Sequence, residues 1–265
     1  MATNKNLRYT PKDGPPSISS RVLHLEDKDG DGHRLPANLF AALTEKNMAP
    51  IIGGPIGQAF SLTSAPGWTL TVGGTGDALA ASTTGGVLIT TPSDDDFNMD
   101  LESVLTVTPT SGKWYGMVAR IQVSHATEIG FRIGLGNQQA LPFTTDYTDF
   151  IGISKAITSA NVVGRVRGNS GTAADSSTLG AIVADTEIEV GFACKVHATE
   201  PVGYFTYKTA SAAIPTVTKF TSSQLTQLAA ILTTPPTCYW RIHATGTTGQ
   251  NRTMTVTSFM AGGDR

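Results

Sequence analysis

The chain predicts an all-β antiparallel sandwich with an extended N-terminal arm, on three observations. Apolar and polar residues alternate strictly in stretch after stretch of its 265 residues, the period of a strand with one buried and one wetter face. The stretches follow one another closely, with Gly, Asn, Asp, Ser or Pro between them, as antiparallel strands joined by short turns require. The composition agrees: 38 Thr and 28 Gly, with only 15% charged residues against a usual ~25%, favour strands and turns over helices.

Residues 1–60 form the arm. They hold 13 charged residues and Pro11, Pro15, Pro16, Pro36, Pro50 and Pro55. Each proline removes a backbone donor and disfavours helix at the residue before it. Leu39, Phe40 and Leu43, beside polar Thr44, Glu45 and Lys46, predict one short helix within 36–48. The rest reads as extended and irregular, with Gly53-Gly54-Pro55 as a hinge. Such a segment buries little alone and is expected to lie on another surface, its own domain's or a neighbour's.

Residues 61–265 form the sandwich domain. Strands are predicted at 68–72, 87–91 and 101–108. The next alternates Tyr115, Met117, Ala119, Ile121 and Val123, and another Phe131, Ile133 and Leu135. Then come 149–156, 161–167 and 178–183, the run Ile188, Val190, Phe192, Cys194 and Val196, and 202–208. A helix follows: Ser222 or Ser223 caps it, Leu225, Leu228, Ile231 and Leu232 lie at helical spacing, and Pro235-Pro236 ends it. Cys238, Trp240 and Ile242, then Met254 and Val256, close the series.

Several classes of function are excluded at this level. A net charge of −2 rules out gripping nucleic acid or anionic lipid by charge alone. No stretch approaches the ~18 apolar residues of a membrane span. The first residues, Met1-Ala-Thr-Asn-Lys-Asn-Leu-Arg, lack an apolar signal-peptide core, so cytoplasmic synthesis and assembly are expected, and the sequon Asn251-Arg252-Thr253 is read as plain surface chain. Cys194 and Cys238 have no metal-ligand spacing and fall in apolar stretches, where free Cys behaves as a small core residue. A disulfide between them stays open.

The candidate sites are few. Asp27-Lys28-Asp29-Gly30-Asp31-Gly32 matches the first half of a calcium loop, with Asp27, Asp29 and Asp31 as oxygen ligands and Gly32 at the sharp turn. The second half departs: Arg34 takes an apolar position, Asn38 the bidentate carboxylate's, and Pro36 interrupts the exit helix. A solvated acidic turn is the plainer reading, and no other cofactor is expected. Glu187 and Glu189 share one face of a strand, about 7 Å apart by strand rise, as paired carboxylates of glycoside hydrolysis can. The plainer reading is a wet outer face. Asp94-Asp95-Asp96 reads as a turn. The five histidines, 24, 33, 125, 197 and 243, show no ligand spacing. Arg120, Arg132, Arg165, Arg167 and Arg241 could form a ligand face, and Tyr115, Tyr204, Tyr207 and Tyr239 could stack on sugars, although aromatics in a sandwich more often fill the core.

The Trp-Tyr-led strand at 113–124, Ile129-Gly130-Phe131-Arg132-Ile133-Gly134-Leu135, the strand at 186–197, Gly203-Tyr204-Phe205-Thr206-Tyr207-Lys208 and the strand pair after the helix together resemble the concanavalin A-like jelly roll of lectins and laminin-G modules. With the proline-rich arm and the Thr, Gly and Ala-heavy strands, the whole is similar to virion proteins of tailed bacteriophages, of the capsid-decoration (cement) or head-fibre type. That resemblance implies a non-enzymatic structural protein of the virion, assembled in the host cytoplasm. It would cement neighbouring subunits of the major capsid protein, or another virion protein, through arm and sandwich, itself a homo-oligomer, with no nucleic-acid or membrane partner. The alternative is a carbohydrate-binding adhesin or receptor-binding module with a glycan ligand.

Overall fold

The computed structural model describes residues 24–26, 32–34, 64–65, 68–72, 78–82, 86–91, 98–137, 147–212, 214–247 and 249–263. Within the arm, β1 (His24–Glu26) and β2 (Gly32–Arg34) pair antiparallel. The helix expected within 36–48 lies outside the described residues.

Two antiparallel sheets make the sandwich. The first has eight strands, in the order β12 (Ala174–Ala181), β11 (Asn161–Arg167), β10 (Phe150–Lys155), β9 (Ile129–Asn137), β16 (Cys238–Gly246), β7 (Asn98–Val107), β4 (Trp68–Val72) and β3 (Ser64–Ala65). The second has seven: β15 (Thr216–Lys219), β14 (Val202–Thr209), β13 (Ile188–Lys195), β8 (Trp114–Val123), β17 (Thr253–Gly263), β6 (Val87–Thr90) and β5 (Ala78–Ala81). The alternation read from sequence fixes which side chains face inward. Met117, Ala119, Ile121, Phe192, Cys194 and Phe259 of the second sheet meet Ile133, Leu135, Ile153, Trp240 and Ile242 of the first in one buried core.

Aromatic rings join the layers. Trp68 meets Phe259 edge-on at 5.2 Å, and Phe192 stacks against Trp240 at 6.2 Å. Glycine makes room for one of these rings. A Cβ on Gly164 of β11 would lie 2.2 Å from the Phe205 ring of β14, so only glycine lets that ring reach the opposite sheet. Cys194 and Cys238 are both buried and free, on different sheets, so no disulfide links them.

The single helix among the described residues, α1 (Ser222–Ala230), is capped by Thr221, one residue before the first of the expected caps. Thr221 is the N-cap because only it lies three residues before Gln224. Its hydroxyl accepts from the Gln224 amide at 3.3 Å, and Gln224 Oε1 accepts from the Thr221 amide at 2.9 Å, a reciprocal capping box. Gln224 is fully buried and donates its Nε2 to the carbonyls of Gly164 and Ala174. The helix is thereby tied to β11 and β12, while Leu228 and Ile231 enter the core.

Candidate functional site: a buried charge cluster on the outer face

The polar side of the eight-stranded sheet carries groups that its core does not require. In β16, Cys238, Trp240, Ile242 and Ala244 point to the core, so Tyr239, Arg241 and His243 point outward. In β7, Leu101 is a core residue, and Asp100 and Glu102 take the outer side. Register places Arg241 opposite Glu102 on one neighbour and Gly134 on the other, and His243 opposite Asp100 and Arg132.

Arg241 is the centre. Its Nη2 lies 2.9 Å from Asp100 Oδ2 and also pairs with Glu102 Oε2, while Nη1 donates to the Asn137 carbonyl at 3.2 Å. The guanidinium sits 4.9 Å from the centre of the Tyr147 ring and 5.9 Å from that of Tyr239. Tyr147 stacks on Phe150 at 5.4 Å and meets His243 edge-on at 6.3 Å. Arg132 also reaches the Tyr147 ring, at 5.9 Å. A Cβ on Gly136 would stand 3.1 Å from the Phe150 ring, so glycine there eases the close approach of that ring to the sheet.

Tyr147 belongs to the connection between β9 and β10, and its end of that connection is pinned. Arg167 Nη1 donates to the Tyr147 carbonyl at 2.9 Å, the Ser170 amide to the Thr148 carbonyl at 2.9 Å, and the Asn169 amide to Asp149 Oδ1 at 2.6 Å. Asn169 and Ser170 hold positive φ, 49° and 58°, a left-handed turn that aims both amides at the connection.

The electrostatics follow from burial. Asp100, 1% exposed, has its carboxyl pushed up to about 7 by desolvation; Arg241 pulls it back and Glu102 adds to the rise. Desolvation, aided by Arg132 and Arg241, lowers His243 to about 3. The Tyr147 phenol is pushed far up by burial and then by the Asp100 charge. The cluster therefore sets a protonatable Asp100 and a neutral imidazole beside the Arg241 guanidinium and aromatic faces. Half-buried Arg132, Glu102 and Tyr239 form its accessible edge.

The residues singled out from sequence divide between the two sheets. Arg132, Arg165, Arg167 and Arg241 do share this outer face, but Arg165 is engaged by Asp175 at 2.6 and 2.7 Å and Arg167 by backbone carbonyls. Arg120 lies on the seven-stranded sheet. Tyr239 joins the cluster; Tyr115 and Tyr207 face the core, and Tyr204 lies on the outer side of the seven-stranded sheet. Glu189 pairs with Arg120 at 3.0 Å, and Glu187 accepts from Thr257 Oγ1 at 2.7 Å, so each carboxylate has its own partner. His197 accepts from the amides of Thr199 and Glu200. Asp27, Asp29 and Asp31, which link β1 to β2, and Asp94, Asp95 and Asp96 lie outside the described residues. Among the described residues no three His, Cys, Asp or Glu side chains gather as a metal site.

Sequence reasoning passed over Asp100, Glu102 and Tyr147, and set His243 aside for want of ligand spacing. A signal for three of them was present. Asp100-Leu101-Glu102 puts two acids on one strand face, and Arg241-Ile242-His243 puts two nitrogen bases on another.

No family model and no curated protein matches this chain. Solved structures do. A protein of unknown function from Shewanella oneidensis MR-1 is similar over 83% of this chain and 88% of its own, with a TM-score of 0.56 and 12% identity. Peanut lectin is similar over 77% and 94%, with a TM-score of 0.52 and 10% identity. The carbohydrate recognition domain of Emp47p is similar over 85% and 99%, with a TM-score of 0.52 and 8% identity. At these identities the likeness shows the fold: the sandwich is a concanavalin A-like jelly roll. The virion setting drawn from the arm gains no support from these neighbours.

Proposed function

We propose that this chain is a non-enzymatic carbohydrate-binding protein that seats a glycan on the outer face of the eight-stranded sheet, over Arg132, Tyr239 and Glu102. One observation carries this reading: guanidinium, carboxylate, imidazole and phenol groups converge on a sheet face that the core does not need. Burying such groups works against stability, and a concentration of them with shifted titration marks a site. Their chemistry suits sugars. Planar charged groups make paired hydrogen bonds to neighbouring hydroxyls, and Tyr239 offers a flat face for sugar C–H groups. Asp100 and Glu102 both engage Arg241, and Asp100 is buried, so neither stands as a free catalytic acid; this supports binding without turnover. The lectin-type neighbours favour the glycan reading over the capsid-cementing one.

A glycan array with the full chain tests it. Saccharide-specific binding is expected, weakened at least tenfold by Arg132→Ala and by Tyr239→Ala with little change in melting temperature. Absence of saccharide binding, or binding indifferent to both substitutions, overturns it.

A further inference from the structure

Two acids of β7 compete for one corner of Arg241. Asp100 Oδ2 lies 2.9 Å from Nη2, and Glu102 Oε2 pairs with that same nitrogen. The rest of the guanidinium serves neither acid. Nη1 donates to the Asn137 carbonyl, and Nε has no hydrogen-bond partner among the described residues. An arginine can spread its acids over a planar fork. Here both crowd onto one nitrogen, where two like charges disfavour each other.

The two acids stand in different surroundings. Asp100 is 1% exposed, and its Oδ1 has no hydrogen-bond partner among the described residues. Glu102 reaches the accessible edge, with 14% of its side chain exposed. A proton shared by such a pair rests on the more deeply buried member, and Asp100 is the carboxyl pushed up to about 7, by desolvation first. The other groups around Asp100 come from each neighbouring element. On β16 they are Arg241 and His243, with Arg132 of β9 beyond His243. On β4 the residue opposite is Thr71, and Trp68–Val72 holds no titratable side chain. Tyr147 of the β9–β10 connection is near enough for the Asp100 charge to help raise its phenol. His243 would be the usual switch near neutral pH, but burial, then Arg132 and Arg241, lower it to about 3. That leaves the carboxyl.

We infer that Asp100 is a proton switch on the glycan site, acting through the Arg241 nitrogen that it shares with Glu102. The inference rests on the function proposed above. Protonated, Asp100 gives Arg241 over to Glu102, and that carboxyl is withdrawn from a sugar. Ionised, Asp100 holds Arg241 itself and leaves Glu102 to accept from sugar hydroxyls. Glu102 is the link because it belongs both to the Arg241 corner and to the accessible edge. A saccharide is therefore held more tightly above neutral pH and let go in mild acid. Coupling of this kind is reciprocal: a ligand favoured by the ionised carboxyl must in turn drive a proton off Asp100 when it binds.

An array of neutral glycans, probed with the full chain at about pH 5.5 and about pH 8.5, tests the inference. Binding should be about fivefold or more tighter at the higher pH, the low end of typical couplings between sites. Asp100→Asn, which cannot ionise, should show the weaker affinity at both values. His243→Asn should keep the wild-type ratio between them, whatever it does to affinity. Calorimetry of the wild type near neutral pH, in two buffers of different ionisation heat, should show protons released on binding, and it decides the matter should Asp100→Asn not fold. Equal affinity at both values, a wild-type ratio kept by Asp100→Asn, or binding without proton release overturns the switch and leaves the first reading standing. No saccharide binding at either pH overturns both.

Discussion

His243 stands directly across from Asp100 in the register of β16 and β7, on the solvent side of the sheet, yet both side chains are almost fully buried. Burial drives the two in opposite directions, Asp100 up to about 7 and His243 down to about 3. Over much of the acid range both are neutral, and Arg241 also pairs with Glu102.

This opposition shapes stability against pH. A carboxyl raised in the folded state contributes stability fully present below its ordinary 3.8 and lost as pH rises towards 7. The lowered imidazole contributes stability fully present above its ordinary 6.5 and lost as pH falls towards 3. Between about pH 4 and 6.5 the two slopes oppose. Relative to wild type, Asp100→Asn should become more stable with rising pH across that window, and His243→Asn less stable, each on the order of 1 kcal/mol per pH unit. Denaturant melts between pH 4 and 7 check this; parallel profiles for all three proteins would refute it.

Arg241→Met alone should lower unfolding free energy by about 3–5 kcal/mol, because it strands a buried carboxyl and its neighbour without their cation. Adding Asp100→Leu and Glu102→Gln should recover most of that loss, since a buried ion pair replaced whole by uncharged groups is often neutral. Chemical denaturation of the single and triple variants decides it: no recovery in the triple variant would mean that Arg241 acts through packing and not through charge.

Gly164→Ala should cost about 1–3 kcal/mol, the usual penalty of overpacking, since its methyl would meet the Phe205 ring. Pairing it with Phe205→Leu should relieve part of the penalty. Additive losses in the double variant would show that the two positions do not touch.

Gln224→Leu should cost about 2 kcal/mol by leaving the Thr221 amide and the carbonyls of Gly164 and Ala174 without partners. Thr221→Ala, which removes only a cap, should cost about 1 kcal/mol. Equal losses would mean that the bonds from Gln224 to β11 and β12 add nothing.

Cys194 and Cys238 should resist alkylation in the native protein and react on unfolding, since burial pushes both thiols up and away from the thiolate. Mass spectrometry after iodoacetamide treatment reads this directly, and labelling of either thiol in the folded protein would contradict it.

What the sequence showed and what it hid divide on physical lines. Strands with one buried face were legible: the stretch 161–167 coincides with β11, and Phe131, Ile133 and Leu135 lie in β9. Short edge strands were not. β5 is Ala-Leu-Ala-Ala and β15 is Thr-Val-Thr-Lys, with too few residues for a period to appear. The charge cluster was half legible. Arg132 and Arg241 stood out as basic residues on strands, but Asp100 drew no notice and His243 was set aside for want of ligand spacing. Tyr147, which lies edge-on against His243, comes from a connection with no period of its own. That β16 lies between β7 and β9, and so joins Asp100 to His243 and Arg132, is a fact of topology that local patterning cannot carry.

The strand order has a consequence for how the molecule is made. β17 separates β6 from β8, and β16 separates β7 from β9, so the two strands that follow α1 in chain order are interior members of both sheets. Until they emerge, each half-built layer has a gap that no other described strand fills, and the edges of β6, β7, β8 and β9 stand open to any extended chain nearby. A premature stop after α1 would therefore not yield a slightly shortened sandwich but two unjoined halves, a natural target for chaperones and proteases.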